Sequence, residues 1–407
     1  MELRVTFIKR DELLSNFSLI LGLGTIIVSF INTNILEVGE KCGFDGRIYC
    51  LMARGEVVFE PYNRRSALPY LVGLLDFQET YYAFYFLNAI FLIVSILFVI
   101  LIAKEFRSKH TYSILAIFLI NPHTFRMLFS APVLVDFLAL MLILILIHLN
   151  LSSFTYRFEL YSIIILTLLI FVRENLSITY IVALFIINSV DYYRNNVSGK
   201  VLVFTILKVM YFFVMTYLAF LQPKVDAPDY VPETGIIQVV KYWSSEIIAS
   251  NDNFMRFIFL VIFGLGIFGL MGIKQYKTLF ENNSRLRTLY LFSILLTFSS
   301  LFLGGDTSRI LMIPSVVLTL LYFAKVGKGK NLIWLFSLNV FLWVPWVNSN
   351  GSEVSFLNLY GQRYLDQSVA LSQFRYFLLT GSVVFGVYFL QKVSQKIMRE
   401  YSVSRER

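Results

Sequence analysis

The sequence predicts an all-α polytopic membrane protein, and three observations carry that expectation. Hydrophobic residues make up 57% of the 407 positions and charged residues only 15%, where ordinary soluble chains run at about 45–50% and about 25%. Mean hydropathy is +0.70, more apolar surface than a water-soluble domain of this length can hide. Runs such as LNAIFLIVSILFVILIA (87–103) and FLALMLILILIHLNL (137–151) approach the ~20 residues that cross a ~30 Å hydrocarbon layer. The whole chain, 1–407, reads as one integral-membrane domain.

Taken in order, the apolar runs predict about twelve crossings. They lie near 17–36, 80–103, 112–121, 132–149, 160–172, 175–190, 203–221, 254–273, 288–303, 309–323, 332–347 and 374–391. The first follows RVTFIKRDELLSN and ends without a small-residue cleavage site, so it reads as a retained helix. The third and fifth are short, as tilted or broken helices are. SALPYLVGLLDF (66–77) reads as a re-entrant or interfacial piece.

With both termini in the cytoplasm, Lys and Arg concentrate in short inner loops such as KVGKGK (325–330), and most Asp and Glu fall outside. This is the positive-inside pattern. It accounts for the formal charge of +9 through topology and removes the case for a nucleic-acid partner. The basic tail QKVSQKIMREYSVSRER either lies on the inner membrane surface or only orients the last helix. The longest segments between crossings, 37–79, 222–253 and 348–373, all face outward.

The first outer loop concentrates charge. GFDGRIYCLMARGEVVFEPYNRRSALPYL (43–71) holds Asp45, Arg47, Arg54, Glu56, Glu60, Arg64 and Arg65. FDG has the look of a turn in which Gly46 supplies an unusual backbone angle. RIYCLMA after it suits a short interfacial helix that includes Tyr49, and Asp45 is either a reactive carboxylate or a helix N-cap. Ionisable residues at membrane depth are costly and point to function. Asp136 (SAPVLVDFLAL), the Arg173–Glu174 hinge (IFVRENLSI), and Asp306 with Arg309 (GGDTSRILMIPS) all reach the same outer edge, and no comparable cluster is expected at the inner ends. The bland alternatives are a satisfied carboxylate, a solvated hinge and a local ion pair. Together these residues suit an anionic lipid-linked ligand, because guanidinium binds phosphate in bidentate fashion.

Other signals stay low. His110, His123 and His148 lack metal-ligand spacing, and no phosphate-binding glycine motif is present, so no cofactor is expected, with a divalent metal left as an alternative. His123 reads as part of a headgroup-facing loop. Glycines at 22–24 and in FGLGIFGLMG (263–272) read as close-packing positions. Cys42 and Cys50, the two cysteines, bracket Asp45 as either a disulfide or two buried thiols.

FDGRIYCLMARG…EPYNRRSALPYL resembles the first outer loop of membrane glycosyltransferases of the GT-C class, which carry an Asp-Gly-x-x-Tyr-like element, an Ala, and a Tyr/Arg/Pro stretch leading into the next helix. VDFLAL, VRENLS and GGDTSRILMIPS stand in the order of that family's later acidic and arginine elements, so the likeness covers about residues 40–320. The resemblance implies an enzyme that moves a sugar from a polyprenyl-phosphate carrier to a glycan or lipid acceptor, with inversion, at the outer face of a bacterial inner or plasma membrane. Its first-loop acid would be the general base, here Asp45. Arg64, Arg65, Tyr49, Asp136, Arg173, Glu174, Asp306 and Arg309 would bind substrate. The sequence departs from the family in having one first-loop acid where many members have two, and in lacking a metal-ligand set. An O-antigen or exopolysaccharide polymerase, and a lipid-linked glycan flippase, are the alternatives.

Overall fold

A computed structural model describes residues 19–27, 31, 42, 44–75, 77–106, 110–130, 133–151, 156–194, 196–226, 241, 244–245, 248, 251–281, 283–302, 311–325 and 332–347. All regular structure among them is helical. The elements are α1 (Phe44–Ala53), α2 (Ala67–Gly73), α3 (Thr80–Glu105), α4 (Thr111–Ile120), α5 (Phe125–Ser130), α6 (Asp136–Leu151), α7 (Tyr156–Tyr193), α8 (Gly199–Phe220), α9 (Asn251–Ile273), α10 (Ser284–Phe302), α11 (Met312–Lys325) and α12 (Leu332–Val347), with 3-10 turns at Tyr62–Arg64 and Tyr276–Phe280. α3 and α8 are long and apolar enough to cross a membrane, and the Glu159–Tyr193 stretch of α7 is so by length and composition although it is broken at Arg173; α4, α6, α11 and Val261–Ile273 of α9 are shorter apolar helices. The predicted crossing at 374–391 and half of the one at 17–36 lie outside the described residues.

Sequence explains where several elements start and stop. α3 runs 26 residues with neither Gly nor Pro inside it and carries Lys104 in its last turn, where the negative end of the helix dipole favours a cation. α4 stops at Asn121–Pro122 because proline disfavours continuing the helix. The Asn121 side chain then accepts the His123 backbone N–H at 2.9 Å, and the Thr124 hydroxyl donates to Asn121 O at 2.6 Å. Asn88, buried in α3, donates to Leu134 O at 2.9 Å and ties α3 to the chain entering α6.

α7 is a hairpin. Arg173 leaves the helical conformation (φ −156°, ψ 95°). The Ser177 hydroxyl donates to Leu166 O at 3.0 Å, although eleven residues of continuous helix would separate them by ~16 Å. The polar pair Arg173–Glu174 is therefore the tip between two antiparallel arms, as the paired predictions 160–172 and 175–190 expect.

α9 is broken at Gly266 (φ 64°, ψ 172°), a conformation open essentially to glycine alone. The freed backbone groups find side chains. Trp343 Nε1 donates to Phe263 O at 2.8 Å, the Ser315 hydroxyl to Leu265 O at 2.6 Å, and Ile267 N–H donates to Asn339 Oδ1 at 2.8 Å. A helix break at membrane depth survives only with such partners. Gly269 and Gly272 do serve close packing, against Ser315 and Leu318 of α11.

Candidate functional site

The first loop packs its arginines against the tip of the α7 hairpin. Arg64 Nη1 stands 3.8 Å from Glu174 Oε1 and Arg65 Nε 3.7 Å from Glu174 Oε2. These distances give charge attraction without good hydrogen bonds. Arg64 also donates to Glu60 Oε2 at 2.9 Å, and its guanidinium lies 3.6 Å over the Phe220 ring, a cation–π contact. Arg65 Nη1 donates to the Tyr49 hydroxyl at 3.4 Å. Behind Glu174, Arg173 Nη2 pairs with Asp136 Oδ1 at 2.6 Å, and both side chains are nearly sealed from solvent.

A second set of bonds fixes the loop to the end of α8. Lys224 pairs with Glu60 at 2.8 Å. Asn63 Nδ2 donates to Gln222 O at 3.3 Å and Pro223 O at 3.4 Å, and Val225 N–H reaches Val58 O at 3.4 Å. The Lys224 hydrogen bond holds the Glu60 carboxyl below its ordinary pKa; burial opposes this, and the Arg64 charge adds to it. Burial also works against the Arg65 charge, but its Tyr49 and Glu174 neighbours prevail and its pKa stands raised.

Six of the predicted residues therefore meet: Tyr49, Arg64, Arg65, Asp136, Arg173 and Glu174. Arg173 and Asp136 join the others through the chain, since Arg173 directly precedes Glu174, and the Arg173–Asp136 salt bridge already engages part of the arginine's charge. Asp45 lies in the first turn of α1, and the contacts of its carboxylate lie outside the described residues, as do Asp306 and Arg309. The FDG turn is corrected: these residues open a helix. Gly46 is needed for close approach, because a Cβ there would stand 3.0 Å from Val133, in the segment entering α6 (Asp136–Leu151). That contact brings the backbone next to Asp45 alongside Val133, three residues before Asp136. Cys42 and Cys50 form a disulfide across eight residues, which settles the two readings and clamps the start of α1. Lys224 and Phe220 carry no sequence signal, whereas Glu60 stands four residues before Arg64 in the sequence.

The expectation of a single charged end is also corrected. At the far ends of the same helices Arg287 pairs with Asp191, both almost fully buried, and Lys208 pairs with Glu159. His148 faces Glu105 at 2.9 Å, and Lys325 pairs with Glu281. The partners in each pair lie far apart along the chain, so the sequence carries no sign of the pairing. His123 is corrected as well: it is 1% exposed, edge-on to Phe263 with ring centres 5.8 Å apart.

Three guanidinium nitrogens in the arginine cluster, the Nε atoms of Arg64, Arg65 and Arg173, are buried with no hydrogen-bond partner, as is Glu174 Oε2, which faces Arg65 Nε at 3.7 Å. Buried polar groups are otherwise satisfied as a rule, so this donor set suits an incoming oxyanion. Among the described residues, no group of three His, Cys, Asp or Glu side chains is placed to hold a metal ion. No family model, curated protein or solved structure matches the chain.

Proposed function

We propose that this chain is a membrane glycosyltransferase of GT-C type that moves a sugar from a polyprenyl-phosphate carrier to a glycan or lipid acceptor. The observation that carries the reading is the unsatisfied arginine set beside Glu174. A carrier phosphate supplies the acceptor oxygens that Arg64 and Arg65 lack. Glu174, at 3.7–3.8 Å, holds both guanidinium groups in place while leaving their Nε–H groups without a hydrogen bond. As the sugar–phosphate bond breaks, charge grows on the leaving phosphate, and preorganised cations lower the barrier.

In this reading Asp45 takes the proton from the acceptor hydroxyl, that oxygen attacks the anomeric carbon from the opposite face, and the carrier phosphate leaves with the bonding pair. The product is inverted. The disulfide and the Gly46 contact fix the helix turn that bears Asp45, as positional catalysis requires. The test is sugar transfer in membranes, using a panel of radiolabelled polyprenyl-phosphate sugars, by wild type and Asp45→Asn. The expected result is transfer by wild type and a folded variant at least ~100-fold slower, the loss that removal of a general base produces. Equal rates would remove Asp45 from the chemistry, and no transfer from any donor would remove the reaction.

A further inference from the structure

The arginine set that the proposed reaction needs stands closed. The Nε atoms of Arg64 and Arg65 are shut off from solvent as well as unbonded, and Arg64 as a whole residue is 8% exposed. Neither Nε can meet a phosphate until something moves. Part of the cover is the end of α8 and the chain that follows it. The Phe220 ring, in the last position of α8, lies 3.6 Å from the Arg64 guanidinium. Residues 222–226 then run without regular structure along the first loop. Their bonds fall on both sides of the two arginines. Val225 N–H reaches Val58 O and Asn63 Nδ2 reaches Gln222 O and Pro223 O before them, and Gln222 Nε2 donates to the Ser66 hydroxyl after them.

This cover is lightly held. Its four hydrogen bonds measure 3.3–3.4 Å, beyond the usual N–H···O range. Its one short contact is Lys224 to Glu60 at 2.8 Å, and the Lys224 side chain is 55% exposed; an ion pair with one partner in water contributes little. The base of the site is firmer. Arg173 and Asp136 pair out of solvent, the disulfide clamps α1, and Gly46 lies against Val133. A poorly bonded segment on a well-packed base is the part that opens first. Glu60 accepts from Arg64 at 2.9 Å as well as from Lys224, so release of Lys224 leaves the acid on the arginine and the arginine in place.

We propose that residues 222–225 are a lid over the arginine set, hinged where α8 ends and latched by Lys224 on Glu60, and that the lid lifts to admit the oxyanion. The lid gives access to the phosphate site of the reading above and rests on that reading for what enters.

The experiment is phenylglyoxal modification of the full chain in uncharged detergent, with Arg64 followed by peptide mass mapping and exposed Arg54 as the reference. Arg64 should react slowly in wild type and in Lys224→Arg, which keeps the latch. In Lys224→Ala it should react about three- to fivefold faster, the shift in a closed–open equilibrium that loss of an exposed ion pair allows. Lys224→Glu sets two acids against each other and should exceed Lys224→Ala. Arg54 should react alike in all four proteins. An Arg64 rate that neither Lys224→Ala nor Lys224→Glu raises, or an equal rise at Arg54, would overturn the lid. A second arm adds a short-chain polyprenyl phosphate. Protection of Arg64 together with the Lys224 effect supports both the lid and the phosphate site. Protection without the Lys224 effect keeps the phosphate reading and removes the lid; the Lys224 effect without protection removes the phosphate reading and keeps the lid.

Discussion

Glu174 is the residue on which the arginine cluster turns. It sits at the hairpin tip and faces two arginines that come from more than a hundred residues earlier. Glu174→Gln keeps the shape but removes the charge that holds both. The expected outcome is a carrier-lipid KM raised about tenfold with a smaller change in kcat, since the effect lost is a partly buried charge attraction; steady-state kinetics separate the two. Asp136 behaves differently because its pair is sealed from water. Asp136→Asn leaves Arg173 without its counter-charge and should cost ~3–5 kcal/mol, read by denaturation in detergent. Changing both residues to neutral ones should cost less than Asp136→Asn alone. Glu60 supplies a pH dependence. Its folded pKa is lowered by Lys224, so its stabilisation is present above the unfolded value near 4.5 and is lost as pH falls through the folded one. The unfolding temperatures of wild type and Glu60→Gln should differ at pH 7 and converge below pH 4.5.

At the scale of elements, two departures from regular helix decide the architecture. At Arg173 a polar pair interrupts an apolar run, the chain reverses, and Ser177 returns to Leu166. At Gly266 the helix breaks without losing hydrogen bonds, because Asn339, Trp343 and Ser315 take up the freed groups. Gly266→Ala would place a Cβ against Trp343 at a positive φ, and strain of this kind costs ~1–3 kcal/mol, with the clash in addition. The unfolding temperature should fall accordingly, whereas Gly24→Ala, which meets no neighbouring atom within 4 Å, should leave it unchanged. The hinge at Arg173 was legible because charge inside an apolar run is conspicuous. The break at Gly266 was not, since glycine in an apolar helix reads equally as a packing position.

Across the whole molecule, charge gathers at two ends, with Glu159 and Arg173 fourteen residues apart on one hairpin arm, or ~21 Å along a helix, and apolar side chains on the helices between. Several exposed residues on α8 are large and apolar, including Phe213 at 74% and Tyr217 at 64%, as a helix facing hydrocarbon would be. Orientation is open to direct test. Both native cysteines are bridged, so a single new thiol at exposed Glu56 or exposed Lys200 reports alone. A membrane-impermeant maleimide should label Glu56→Cys from outside intact cells and Lys200→Cys only after the membrane is opened. Labelling of both from one side would refute the crossing pattern.

Composition and run length by themselves determined that the chain is helical and apolar enough for a membrane, because those properties are sums over local residues. The order of the charged motifs also marked Arg64, Arg65, Asp136, Arg173 and Glu174 in advance, since ionisable side chains stand out against apolar sequence. Only the tertiary structure decided which charges meet. Arg64 and Arg65 could have faced solvent, Lys224 could have been an ordinary loop lysine, and Glu159 and Lys208 gave no sign of pairing. Pairing depends on distances across the bundle, and those are fixed by packing between helices that are remote in sequence.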